Sequence, residues 1–164
     1  MDRCDGCGYT YDLGAAEAAG PAIVAGADRV AAALENGPAV AERRAPAVWS
    51  PLEYGCHLRD VLLVQRERVL LARWADVPSA TPMGRDERVD LDGYAGQDPA
   101  AVARQLRDAA ALMANVLARL DGEAWERRLV YNYPTRAERS LRWVAVHTRH
   151  EVVHHEGDVA GQLG

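Results

Sequence analysis

The 164-residue sequence predicts an all-α protein, organised as a four-helix bundle. Three observations carry this. Alanine dominates, Phe is absent and strand formers are sparse, a composition that favours helix. Two segments, Ser50-Pro51-Leu52-Glu53 and Asp98-Pro99, are strong helix starts ahead of helical apolar stripes. Four helical segments emerge, with one long crossover between the second and third.

Residues 1–12 form a short arm with Cys4, Cys7 and Gly8 in a C-x-x-C-G string. A first helix falls within 13–36; Pro21 marks its start or a kink and Asn36-Gly37 stops it. A connector with Pro and Arg leads to Trp49. In the second helix Ser50 caps, Pro51 suits the first position and Glu53 completes a capping box. It runs to about Trp74 with the stripe Tyr54, Leu58, Val61, Leu62 and Val69. Residues 77–97 are a connection rich in Pro, Gly and Asp. Within it Arg85, Asp86, Glu87 and Arg88 read as a solvated charge run, with anion binding as the alternative. The third helix starts at Asp98-Pro99, buries Val102, Leu106, Met113, Leu117 and Leu120, and ends at Asp121-Gly122. Tyr131-Asn132-Tyr133-Pro134 reads as a loop, and the fourth helix runs from between Thr135 and Ser140 to about Val159. The whole is one domain, 1–164, with 1–12 as its arm.

The net charge of −5 argues against a nucleic-acid partner. All 19 basic residues are Arg, a coding bias from which no function is drawn. No apolar run reaches the ~18 residues that a membrane span needs. The opening M-D-R-C-D lacks a signal-peptide pattern, and an odd count of three Cys suits a reducing cytoplasm. The expected partner is a small molecule, with the chain a monomer or homodimer.

The chemistry concentrates in R-H-E-V-V-H-H-E-G-D, Arg149 to Asp158. His150 to His154 spell H-E-x-x-H, the metalloprotease signature, in which two His bind zinc and the Glu is the general base. The longer form of that motif wants a third His at position 160, which is Ala160. On a helical wheel Leu141, Val144, Ala145, Thr148, Val152 and Val159 define the core face, while Val146 and Val153 fall outside it. His155 lies roughly 40° from the centre of that face. Glu151 shares its flank, and His147 and Asp158 lie further round. His150 points away from the core and His154 is mostly outward, so the protease register would use the two His that face solvent.

The inward register uses Glu151 and His155, i and i+4 on one face. Residues 160–164 offer no zinc donor, so a third ligand comes from upstream. His57, on the edge of the second helix's stripe, is the His outside the cluster. Its plainer reading is a core His with one hydrogen bond. With Glu151 and His155 it makes a His₂Glu set with an open fourth position, the mark of catalytic zinc. Asp158 or His147 would orient these ligands from behind.

Trp49-Ser50-Pro51-Leu52-Glu53 followed by His57, with Glu151, His155 and Asp158 near the C-terminus, resembles the DinB/YfiT-like superfamily of metal-binding four-helix bundles. Many members use three His. The mycothiol-dependent maleylpyruvate isomerase branch is similar in placing Glu where this chain has Glu151. The resemblance covers roughly residues 15–160. It implies an up-down-down-up bundle, a divalent metal (zinc, or nickel) and a low-molecular-weight thiol cosubstrate such as mycothiol or bacillithiol. The chain departs from the isomerases in lacking their larger C-terminal domain, and it adds the Cys4–Cys7 arm.

Three functions follow as expectations. One is a metal-dependent thiol transferase or isomerase that activates a small thiol. Another is a hydrolase that activates water on the same residues. The third is a non-enzymatic, metal- or redox-responsive binding protein. Tyr131, Asn132 and Tyr133, with Tyr54, can line a substrate pocket, although packing is the plainer role for such aromatics. Cys4 and Cys7 form half of a zinc ribbon with no second C-x-x-C. They read either as a reduced, packed or frayed arm or as a second zinc site with two of His147, His150 and His154. Cys56 points away from the core stripe and reads as structural.

Overall fold

The computed structural model describes residues 3–133 and 135–163; Met1 and Asp2 of the arm, Pro134 of the loop and Gly164 lie outside the described residues. Four long helices make the bundle: α1 (Ala19–Asn36), α2 (Pro51–Trp74), α4 (Pro99–Leu117) and α6 (Leu141–Leu163). Shorter elements join them: 3₁₀ turns at Leu13–Ala18 and Tyr94–Gly96, helices α3 (Arg85–Leu91) and α5 (Gly122–Glu126), and strands β1 (Arg128–Tyr131) and β2 (Ala137–Ser140).

The start signals act as their chemistry requires. Glu53 N–H donates to Ser50 Oγ at 3.2 Å, and Ser50 N–H donates to Glu53 Oε2 at 2.7 Å. Arg43 adds two bonds to the same carboxylate, at 2.7 and 2.5 Å. Asp98 accepts from Ala101 N–H at 2.7 Å ahead of Pro99. α1 closes at Gly37 with extended backbone rather than a left-handed turn.

α1 and α2 each pack against both α4 and α6. The apolar stripes of the third and fourth predicted helices are buried throughout, as are Leu58, Val61, Leu62 and Val69 of α2. Two glycines permit close helix approach: a Cβ at Gly26 would lie 2.5 Å from Val152 Cγ1, and one at Gly55 would lie 2.5 Å from Leu34 Cδ1. Gly20 at the start of α1 lies beside Ala114 near the end of α4. Arg29 of α1 pairs with Glu156 of α6, and Arg59 of α2 donates to Gln105 of α4.

Several elements differ from the sequence reading. Residues 77–97 are not a plain loop, because α3 and a 3₁₀ turn fold within them. The supposed charge run is partly structural: Arg88 Nη1 reaches Asp60 Oδ2 at 3.1 Å and Arg88 Nε donates to the Met83 carbonyl at 2.7 Å. Cys56, read as pointing away from the core, is fully buried, its thiol 3.5 Å from Gln97 Oε1. Burial pushes that thiol up to about 12. The antiparallel hairpin β1–β2 pairs Arg128 with Ser140 and Tyr131 with Ala137. Tyr131 therefore ends a strand instead of opening a loop. The crossover also pairs with β1, through Ala80 N–H to the Val130 carbonyl and Val130 N–H to the Pro78 carbonyl, both at 2.9 Å. Among the described residues no helix is long and apolar enough to cross a membrane.

Candidate metal centre

α2 and α6 face each other, and the helical period decides which side chains meet between them. His57 of α2 and the i, i+4 pair Glu151 and His155 of α6 converge there. Their donor atoms all lie within 4.8 Å of one another, so the three could hold one ion. His57 is 1 % exposed, and neither ring nitrogen has a hydrogen-bond partner among the described residues. A buried imidazole of that kind is costly unless a bound ligand satisfies its nitrogens. Burial, and the neighbouring His155, push His57 down to about 3, so it is neutral and its lone pair is free to ligate.

The other two members are oriented from behind. His155 Nδ1 lies 2.7 Å from Asp158 Oδ2, which leaves Nε2 facing the site, 3.8 Å from Glu151 Oε2. This carboxylate–imidazole pairing is the usual support of a metal-binding His. Burial alone would raise the Glu151 carboxyl. The hydrogen bond from His150, with the His147 and His155 rings nearby, instead holds it down to about 2. A cavity of about 470 Å³ opens beside the three. Gln65, Arg68, Arg85, Tyr131, Asn132 and Tyr133 are among its walls.

The two His assigned to solvent, His150 and His154, are not on a free face, and neither is His147. The N-terminal arm folds across α6: it covers His147 and His150, 3 % and 7 % exposed, and sets Cys4 against the half-buried His154. The wheel placed His150 and His154 outward because it counted only the other bundle helices as partners. The Tyr11 hydroxyl bridges His147 Nδ1 and His150 Nδ1, each at 2.9 Å. The Tyr9 ring sits 5.4 Å from that of His150. Cys4, Cys7, His150 and His154 form a second group with donor atoms within 4.8 Å. His147 is not among them; it stacks on Trp143 and belongs with His150 and Glu151.

Of the expected pocket residues, Tyr131, Asn132 and Tyr133 line the cavity. Tyr54 does not; its ring lies 5.3 Å from that of His155. Asn132 is tied to the crossover by its side-chain amide, which donates to the Ala80 carbonyl. Sequence reasoning missed Tyr11, Gln65 and Arg68. Gln65 Nε2 and Arg68 Nη1 both donate to the Tyr131 hydroxyl at 2.9 Å, fixing one wall. Tyr9 and Tyr11, two aromatics beside a C-x-x-C-G string, were a usable signal that the arm packs.

Residues 22–159 match the DinB superfamily. No curated protein matches the chain. Among solved structures it is similar to one described as "YfiT from Bacillus subtilis is a probable metal-dependent hydrolase with an unusual four-helix bundle topology". The TM-score is 0.71 at 17 % identity, over 87 % of this chain and 85 % of that one. At that identity the likeness speaks for the fold. The family match spans most of the sequence, and the chain belongs to the DinB superfamily.

Proposed function

We propose that His57, Glu151 and His155 hold a divalent metal ion, zinc or nickel, in an enzyme that activates a small thiol for transfer or isomerisation. The observation that carries it is His57. Both of its nitrogens are buried and, among the described residues, unpartnered, and the ring faces a carboxylate and a second imidazole beside a cavity of small-molecule size. A His₂Glu set leaves a position open. When bound, the ion supplies Lewis acidity that lowers the pKa of a thiol, or of water, in that position.

The chain's own residues do the rest. Asp158 accepts the Nδ1 proton of His155 and fixes its tautomer. Trp49 and Tyr54 pack on the outer faces of His57 and His155, with ring centroids 5.3 Å apart in each case, and exclude water there. Arg68 in the cavity wall can meet an anionic group on a thiol such as mycothiol, or on its acceptor, while Arg85 beside it pairs with Asp86 at 3.1 Å. Asp158 and the aromatic wall serve a hydrolase on the same residues equally well. That second reading is favoured by the described activity of the Bacillus subtilis fold relative.

The same proposal takes the bundle as up-down-down-up, supported by the pairings Gly20 with Ala114, Arg59 with Gln105 and Arg29 with Glu156. Free thiols at Cys4 and Cys7 suit a cytoplasmic setting.

The test uses cobalt in place of the native ion, in a Cys4→Ser, Cys7→Ser background so that no arm thiol contributes. Addition of a small thiol is expected to produce a thiolate-to-cobalt charge-transfer band, and His57→Ala to abolish it. No band on thiol addition, together with turnover of ester or amide substrates, would move the assignment to the hydrolase.

A further inference from the structure

We infer that Cys4, Cys7, His150 and His154 form a second, closed metal site that clamps the N-terminal arm onto α6. The H-E-x-x-H string is then shared between two centres. His150 and His154 point to the arm, Glu151 and His155 to the bundle interior. Two i, i+4 pairs one residue out of step lie ~100° apart on a helix, so one turn can serve two sites.

The arm is shaped for this. Cys4 N–H donates to the Tyr9 carbonyl and Gly8 N–H to the Cys4 carbonyl, both at 2.8 Å, closing a tight knuckle. Gly8 has φ +74, a left-handed turn that suits glycine. Gly6 lies over His154; a Cβ there would approach the His154 ring to 3.0 Å. Cys4 Sγ lies 3.7 Å from His154 Nδ1. Tetrahedral zinc with its usual bonds to sulfur and nitrogen sets such atoms about 3.6 Å apart.

The His nitrogens are allotted consistently. His150 Nδ1 is taken by the Tyr11 hydroxyl at 2.9 Å and by Glu151 Oε1 at 3.3 Å, while Nε2 is buried with no partner among the described residues. That orphaned nitrogen is the ligand atom the site assigns to His150. His154 turns Nδ1 to Cys4, and its Nε2 lies 3.7 Å from Asp158 Oδ2, the oxygen that also holds His155. Glu151 likewise faces both ways, Oε1 to His150 and Oε2 to His155. Two thiolates and two imidazoles satisfy zinc completely, so this centre has no open position and its role is structural. Because Cys4, Tyr11, His150 and His154 also line the cavity, the clamp builds one wall of the proposed active site.

The test is metal analysis of reduced, chelator-washed protein, with the cobalt form read by absorption. Wild type is expected to carry two ions per chain and a thiolate-to-cobalt band. The Cys4→Ser, Cys7→Ser variant should keep one ion, lose the band and melt several degrees lower, as loss of a tie between the arm and the last helix does in a protein of this size. His154→Ala should behave likewise, and His147→Ala should keep both ions. His57→Ala should lose one ion but retain the band, so failure of the bundle site and failure of the arm site are told apart. One ion per chain in wild type without a thiolate band, or a band that survives loss of both cysteines, would overturn the clamp.

Discussion

Asp60 and His57 lie on the same helix, less than one turn apart, and both are buried, at 5 % and 1 % exposed. Their surroundings could hardly differ more. Asp60 accepts from Arg59 Nε at 2.8 Å, Tyr94 Oη at 2.7 Å and Arg88 Nη1 at 3.1 Å. Arg59 in turn reaches Gln97, Gln105 and Asp92. His57 has no polar partner among the described residues. Burial alone therefore does not mark a site. The satisfied buried charge of Asp60 is architecture, fastening the crossover to α2, whereas the unsatisfied neutral ring of His57, facing Glu151 and His155, is a place for a ligand.

The largest expected effect tests the architectural half of that contrast. Asp60→Ala leaves Arg59 its bonds to Asp92, Gln97 and Gln105 but removes the acceptor that Arg59, Tyr94 and Arg88 share. Breaking a buried pair from one side typically costs about 3–5 kcal/mol, and the remaining Arg59 partners put this one toward the lower end. Denaturant melts should register that loss while the metal content of the folded fraction stays the same. Loss of the bundle ion with unchanged stability would dissolve the distinction.

A smaller effect separates the two residues by pH. Burial would raise the Asp60 carboxyl, but the bonds from Arg59 and Tyr94 hold it below its ordinary value. A carboxylate lowered on folding contributes stability that is present above its unfolded value, near 3.9, and is lost as pH falls below it. His57 is also lowered by folding, chiefly by burial, from 6.5 to about 3. In metal-free protein the unfolded chain takes up the His57 proton first, so stability falls as pH drops from about 6.5. Metal-free wild type should thus weaken in two stages on acidification, His147, lowered likewise by burial, adding to the first. Metal-saturated protein should start from a higher stability and lose it over the same first window, because a ligating His57 is also unprotonated. Urea midpoints across pH 3–8 measure both; a single stage below pH 4 in both forms would remove His57 from the account.

How much of this was legible in the residues depends on where the partners came from. The long helices could be read because Ser50, Pro51, Glu53, Asp98 and Pro99 act through neighbours a few positions away. The inward trio could be read because helical period fixes where Glu151 and His155 point. The burial of His150 could not, since its cover is Tyr9 and Tyr11, almost 140 positions upstream, and a wheel has no term for an arm. The hairpin escaped because four-residue strands bearing Arg128, Glu138 and Arg139 carry no apolar alternation of useful length. The Asp60 network was hidden because α3, which supplies Arg88, is mostly charged apart from Val89 and Leu91, and nothing in it names Asp60 as a partner.

The smallest and sharpest test lies in His57→Leu. Leucine is close to the imidazole in size and has no polar atoms, so the substitution removes two buried nitrogens that nothing among the described residues satisfies. Left unpaired, such groups cost about 1–3 kcal/mol. Against that gain stands imperfect packing of the branched side chain between Trp49 and His155, a loss of about 1 kcal/mol for a volume-conserving swap. In metal-free protein the two nearly cancel, leaving the variant equal to wild type or more stable by up to about 1–2 kcal/mol. With metal present the order reverses, because only wild type gains from ligand binding to the folded state. Paired melts with and without zinc would show the crossing directly. If Leu at this position destabilised the metal-free protein as severely as Asp60→Ala, His57 would be a packed core residue and the contrast drawn on α2 would fail.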